Sequence, residues 1–299
     1  MSYQITPQQM CDDLVWAVTS PHLMALSQNL TTIPAPAELY KWLTTDKHKE
    51  RLSQYLTESK PTRLGVYFEI LWRYFLEQHP SFELVSHNLP VRNNGQTLGE
   101  FDFIYYCRQR QRYIHLETAV KFYLGRQGNS QTPSSWAQWI GPGCKDRLDI
   151  KLAHMLGKQS QLSLTPEGAE LISVLSITNL RPEICLKGYF FYPLEANCAA
   201  PKQCATTHLR GYWLKRSQLE FLPPMGLWKI LDKPSWLSPA HHVEEREVLD
   251  HAALEKNLAA YFAVNQFPLM LVLLAPEQQC FNEQARYFVT QDYWPDLHS

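Results

Sequence analysis

Apolar positions recur at three- and four-residue spacing over residues 10–26 and 37–56, the period of helices that bury one face. The segment Thr31-Thr32-Ile33-Pro34-Ala35-Pro36 between them reads as a turn or short linker. A stronger helix follows. Thr62 can cap it, Leu64, Tyr67, Phe68, Leu71, Trp72, Phe75 and Leu76 fill its faces, and His79-Pro80 ends it. Being apolar nearly all round, this helix is expected to be buried.

The pattern then changes. Runs at 82–91, 98–106 and 113–124 predict three strands. Asn93-Asn94-Gly95 is a turn signal, and Arg108-Gln109-Arg110-Gln111-Arg112 has the polarity of a hairpin loop. Two such short connections predict an antiparallel meander. A polar loop at 125–135 precedes a helix at about 145–156. Thr165-Pro166-Glu167 reads as a cap with proline at the first helical position, and the stretch after it, to Thr178, is open between helix and strand. ICLKGYFFY (184–192) is a strand, 196–207 a Cys- and Pro-containing loop, 211–214 a short strand and 243–262 a helix. No linker forces a second domain. The expected layout is a helical extension (1–60), an α/β core (61–195) and an α+β extension (196–299) packed on it.

Composition agrees with a sizeable core: 45% of the 299 residues are hydrophobic and 19% charged, which excludes a disordered chain. No regular glycine period and no solenoid repeat is visible. Basic and acidic residues number 28 and 29, a net charge of −1, so bulk electrostatics give no sign of nucleic-acid binding, although a local basic groove is compatible with it. Seven cysteines without a CxxC pair suit a reduced compartment. The first ten residues carry no basic segment, and the longest apolar run, 267–275, is interrupted by Pro268. A soluble, cytoplasmic protein is expected.

The candidate chemistry lies in one helix and two strands. Glu69 shares a helical stripe with Gly65, Trp72 and Leu76, where a carboxylate is costly unless paired or bound. In Gly99-Glu100-Phe101-Asp102-Phe103, strand alternation puts Glu100 and Asp102 on one face and the phenylalanines on the other. In the next strand His115, Glu117, Ala119 and Lys121 alternate with Leu116, Thr118, Val120 and Phe122. Paired as a hairpin, these strands gather Glu100, Asp102, Glu117 and Lys121 on one face, and Glu69 can join from a helix packed over it. The plain alternative is a solvated sheet face. The chemistry such a cluster suits is metal-assisted phosphodiester hydrolysis, with carboxylates holding Mg²⁺ or Mn²⁺ and a lysine stabilising developing charge.

The texts GVYFEILWRYFL, GEFDFI, HLETAVKFYL, DRLDIKLAHML and LKGYFFYP resemble an uncharacterised bacterial family attached to the PD-(D/E)XK nuclease-like superfamily. The resemblance to that family spans nearly the whole chain, and the nuclease motif itself only about residues 62–155. It implies a restriction-endonuclease-like αβββαβ core with a mixed central sheet flanked by helices. It makes Asp102 the metal-binding acid, Lys121 the motif lysine and Glu69 the supporting acid. It sets Lys145, Asp146, Arg147, Asp149, Lys151 and His154 on the substrate side, with DNA the substrate in preference to RNA. One departure stands out: the acid usually two residues before the lysine is replaced by Ala119, and Glu117 lies two residues further back, about 6–7 Å along the strand. Three accounts stay open. Glu117 is a displaced ligand, Glu100 or Glu69 completes the site, or the fold has kept binding without catalysis.

Other features are weaker. Residues 61–155 hold 11 basic and 8 acidic residues, a net of +3, and Arg108, Arg110, Arg112, Lys145, Arg147 and Lys151 are candidate phosphate contacts. A loop over 127–138 could cover the site, and Trp136 and Trp139 either stack on bases or anchor the fold. Cys198, Cys204 and His208 are spaced like zinc ligands but lack a fourth, and His241-His242 reads as a surface pair.

Overall fold

A computed structural model describes residues 5–29, 34–44, 47–126, 128 and 133–296. In chain order the helices and strands are α1 (Pro7–Thr19), α2 (Pro36–Thr44), α3 (His48–Ser59), α4 (Leu64–Gln78), β1 (Phe82–Asn93), β2 (Gln96–Cys107), β3 (Arg112–Gly125) and β4 (Trp139–Ile140). They continue with α5 (Leu148–Gly157), α6 (Pro166–Val174), β5 (Arg181–Pro193), β6 (Leu209–Lys215), β7 (Leu227–Leu231), α7 (His251–Val264), β8 (Leu269–Glu277) and β9 (Cys280–Thr290). The fold is mixed α/β. It divides into two compact units, one of Met1–Val120 with Ile150–Lys187, the other of Lys121–Asp149 with Gly188–Ser299. The chain passes from one to the other within β3, α5 and β5.

The first unit holds the expected meander: β1 pairs antiparallel with β2, and β2 with β3. Asn94 (φ 47°) and Gly95 (φ 81°) both take the left-handed conformation that a tight hairpin turn requires, which is why the Asn-Gly signal set the register here. α4 packs on β1, and its Tyr67, Phe68, Leu71, Trp72 and Phe75 are buried, as its all-round apolarity implies. Val91, Phe101, Ile104, Leu162, Ile172 and Ile177 form a second cluster. α6 is a helix, capped by the Thr165 side chain on the N–H of Gly168, with Pro166 in its first turn; this settles the stretch the sequence left open.

Two helical expectations differ. α1 ends at Thr19, not near residue 26, because Ser20 is held extended (ψ 153°) before Pro21. The residues beyond turn to β5 instead, where Leu23 N–H donates to Leu186 O and Ile184 N–H to Gln28 O. The expected helix at 37–56 is two helices, and α3 opens at Lys47 in a left-handed conformation (φ 58°). Thr31 to Ile33 of the expected linker lie outside the described residues.

The second unit holds a mixed sheet. β5 is parallel to β6 and β6 to β9, while β8 is antiparallel to both β9 and β7. α7 starts at His251 rather than near 243, because the Asp250 side chain caps it on Ala253 N–H. It closes a core with Trp228, Leu271, Tyr287 and Val289. At Gly188 (φ 132°) a Cβ would lie 1.7 Å from the Lys121 carbonyl oxygen, so only glycine permits this approach. One buried ion pair is fully served. Arg286, 1% exposed, binds Glu283 through Nε (2.5 Å) and Nη2 (2.9 Å), donates to the carbonyls of Trp236 and Ser238, and lies over the Tyr189 ring. Glu283 also accepts Ala240 N–H at 2.8 Å.

Candidate functional site

The first unit gathers the acidic residues that the sequence singled out. Glu69 is half-buried on α4, Glu100 exposed and Asp102 half-buried on β2, and Glu117 and His115 on β3 are both 0% exposed. The sheet face carrying Glu117 is therefore not the solvated one that the plain alternative required.

The regular pairing of β2 and β3 runs from Cys107↔Arg112 to Phe103↔Leu116. Beyond it Asp102 does the work of a backbone carbonyl. Its Oδ2 accepts the Thr118 N–H at 2.8 Å and the Thr118 hydroxyl at 3.3 Å. The expected alternation is broken here as well. Phe101, assigned by alternation to the face opposite the acids, meets the His115 ring edge-on with centroids 4.6 Å apart. His115 Nε2 shares one hydrogen bond with Glu117 Oε1 at 2.7 Å. Glu117 Oε2 and His115 Nδ1 are buried without a hydrogen-bond partner among the described residues.

Burial sets the protonation of this group, and the acids reinforce one another. The Glu69 carboxyl is pushed up to about 7 by burial, with the charges of Asp102 and Glu100 adding to it. Burial and then Glu117 raise Asp102 to about 7, against the Thr118 N–H and Lys151. Glu117 is raised to about 8 by burial, opposed first by Lys151. Burial also lowers His115 to about 4. At pH 7 the His115–Glu117 pair is thus mostly neutral. Lys151, half-buried on α5 and donating to Gln159 Oε1 at 3.4 Å, is the cation that acts on all three raised acids.

An all-oxygen donor set suits Mg²⁺ or Mn²⁺, and the orphaned Glu117 Oε2 is the kind of buried acceptor a cation satisfies. Among the described residues, however, no three His, Cys, Asp or Glu side chains are grouped so as to hold a metal ion. The donors fit in kind, and a complete ligand set is not preformed.

The other sequence candidates fall as follows. Lys121 lies in the second unit, its Nζ 2.5 Å from Asp146 Oδ2, and Tyr123 O–H donates to Asp146 Oδ1 at 3.4 Å. Arg147 binds Asp149 through two nitrogens at 2.6 and 2.9 Å, and Lys145 is exposed. In the first unit Arg108 meets Glu83, Arg110 meets Glu183, and Arg112 has a buried Nε without a hydrogen-bond partner. Trp139 is an anchor, fully buried against Phe190 and Tyr192, and Trp136 donates its N–H to Lys202 O. Of the loop expected to cover the site, Gln127 and Asn129 to Thr132 lie outside the described residues. Cys204 Sγ is 2.9 Å from His208 Nδ1, but that nitrogen is also 2.6 Å from Ala205 O, which fixes its proton there. Two partners were missed: Thr118, which no periodicity marks, and the link from Lys151 to the acids, which depends on where α5 packs.

The family model for a domain of unknown function (DUF1853) matches residues 12–290. The chain belongs to the DUF1853 family. This agrees with the resemblance to an uncharacterised family; no curated protein and no solved structure matches the chain. Among the described residues of this DUF1853 member, no helix is long and apolar enough to cross a membrane.

Proposed function

We propose that this DUF1853 protein is a metal-dependent, nuclease-like protein that hydrolyses phosphodiester bonds in DNA, less readily in RNA, on a restriction-endonuclease-like core. One observation carries the reading. Buried Glu117 and half-buried Glu69 and Asp102 have raised proton affinities to which their mutual charges contribute, and Glu117 keeps a buried oxygen without a hydrogen-bond partner among the described residues. Asp102 and Glu117 would hold Mg²⁺ or Mn²⁺, with Glu100 or Glu69 in support. When bound, such an ion supplies positive charge to a phosphoryl oxygen and acidifies a water. The chain's own part is to keep the carboxylates desolvated, to orient Glu117 through His115, and to fix Asp102 on the Thr118 N–H. The resemblance gives Lys121 a catalytic part and Arg108, Arg110, Arg112, Lys145, Arg147 and Lys151 contacts to the nucleic acid.

A second reading has its own support. Ala119 stands at the usual acid position, Lys121 is engaged by Asp146, and no three-ligand group is preformed among the described residues. These favour a catalytically inactive nucleic-acid- or protein-binding module on the same fold. Mn²⁺ uptake followed by water-proton relaxation, in wild type and Asp102→Asn, separates the two without a guess at substrate. Uptake that drops in the variant supports the hydrolytic reading. Equal or absent uptake removes the metal site at Asp102 and leaves the module. Cleavage of plasmid DNA with Mn²⁺, lost in Asp102→Ala and Lys121→Ala with folding intact, completes the test.

A further inference from the structure

Four arginines crowd the turn end of the β2–β3 hairpin in the first unit. Arg108 and Arg110 stand in the turn, Arg112 opens β3 opposite Cys107, and Arg181 opens β5. Two carboxylates answer them. Arg108 Nη2 is 3.1 Å from Glu83, Arg110 Nη1 is 2.6 Å from Glu183, and Arg181 Nε is 3.8 Å from the same Glu183 oxygen. Residues 79–84, 104–114 and 176–184 hold these four arginines against these two glutamates and no other Lys, Arg, Asp or Glu. That leaves an excess of two positive charges.

The arrangement is anchored from beneath. The Glu183 side chain is 2% exposed, so it acts as a fixed post on which Arg110 and Arg181 are held. The Arg108 and Arg181 side chains are more than half exposed, with their remaining donors open to solvent. Arg112 Nε–H is buried and has no hydrogen-bond acceptor among the described residues. Beside Arg112 the Tyr106 and Tyr113 rings meet edge-on at 5.1 Å, both half-buried. Guanidinium forks beside half-buried aromatic rings suit phosphates flanked by bases, whereas an acidic peptide needs the charge alone.

We propose that this hairpin end is a docking site for the phosphodiester backbone of a nucleic acid, with Arg108 and Arg181 on phosphates and Glu183 as the positioning residue for Arg110. The site uses none of the acids assigned above to metal; the class of ligand and the contact role of Arg108, Arg110 and Arg112 rest on the proposed function, to which Arg181 and the Glu183 post are added.

The test is the salt dependence of binding of a fluorescein-labelled duplex, read by anisotropy, in the full chain and in Arg108→Ala/Arg181→Ala. Loss of two phosphate contacts should make the slope of log K against log salt shallower by about 1.8 and weaken binding about tenfold in low salt. The charge reversal Arg108→Glu/Arg181→Glu should weaken it further. Near-UV circular dichroism checks folding, which these exposed positions should leave unchanged. Identical slope and affinity in both double variants would overturn the proposal. So would a polyglutamate peptide that binds more tightly than the duplex with the same dependence on the two arginines. A slope change that persists where Mn²⁺ uptake is absent keeps the docking site and removes the hydrolytic reading; the reverse pattern does the opposite.

Discussion

The two units each bury charge, and they do so in opposite ways. In the second, Arg286 and Glu283 saturate one another: two bonds between them, two carbonyls, a backbone N–H and a ring face account for the pair. In the first, Glu69, Asp102 and Glu117 raise one another's proton affinity with one lysine opposing all three, and Glu117 keeps a buried oxygen without a hydrogen-bond partner among the described residues. The difference is one of pairing. A buried charge that only supports the fold tends to be fully paired, since an unpaired one is expensive. A group that stays under-partnered is stabilised from elsewhere in the structure, and is available to a ligand.

The largest expected effect breaks the saturated side. Arg286→Met strands Glu283 in the core and should cost about 3–5 kcal/mol of stability, read by urea denaturation. A loss below about 1 kcal/mol would mean that the pair contributes nothing special. On the other side the sign should invert. Glu117→Gln keeps a hydrogen-bonding group toward His115 and removes a desolvated charge, so at pH 8.5 it should stabilise by about 1–3 kcal/mol. Destabilisation at both pH 8.5 and pH 5 would show Glu117 to be a structural acid after all.

The pH dependence of the wild type follows from the same group. Glu69, Asp102 and Glu117 hold protons more tightly folded than unfolded, so the folded state binds more protons between about pH 4 and 8. Their stabilising contribution is complete below about pH 4 and is lost as pH rises through 7 to 8. Thermal melts should show the slope across this window flattened in Glu117→Gln; an unchanged slope would assign the pH dependence elsewhere. Mn²⁺ should raise the melting temperature more at pH 8 than at pH 5, since at pH 5 protons compete for the same oxygens. The smallest effect is Asp146→Asn. It breaks a half-exposed ion pair and should cost at most about 1 kcal/mol. A larger loss would give Lys121 a structural importance that a catalytic lysine does not need.

Much of this was legible in the residues. The Asn94-Gly95 turn, the three strands and the Thr165 cap are local signals, and the structure honours them. The early end of α1 was legible too, since Ser20 precedes a proline and period alone carried the helix too far. Other features were not. Alternation tells which side of a strand Glu117 takes but not how deep that side lies. The Asp102 bond to the Thr118 N–H exists because regular pairing stops after Phe103, and no side-chain pattern announces a stop. The charge of Lys151 acts on the acids because of where α5 packs, which its own sequence does not encode.

That bond has a consequence for observation. Thr118 N–H is tied to a titrating side chain rather than to a neighbouring strand's carbonyl. Its deuterium exchange should quicken as Asp102 gains a proton and slow when a cation or base keeps the carboxylate charged, while its chemical shift moves in step. One amide resonance in the middle of β3 would then act as a built-in electrometer, reporting the charge at the candidate site without substrate, turnover or a label.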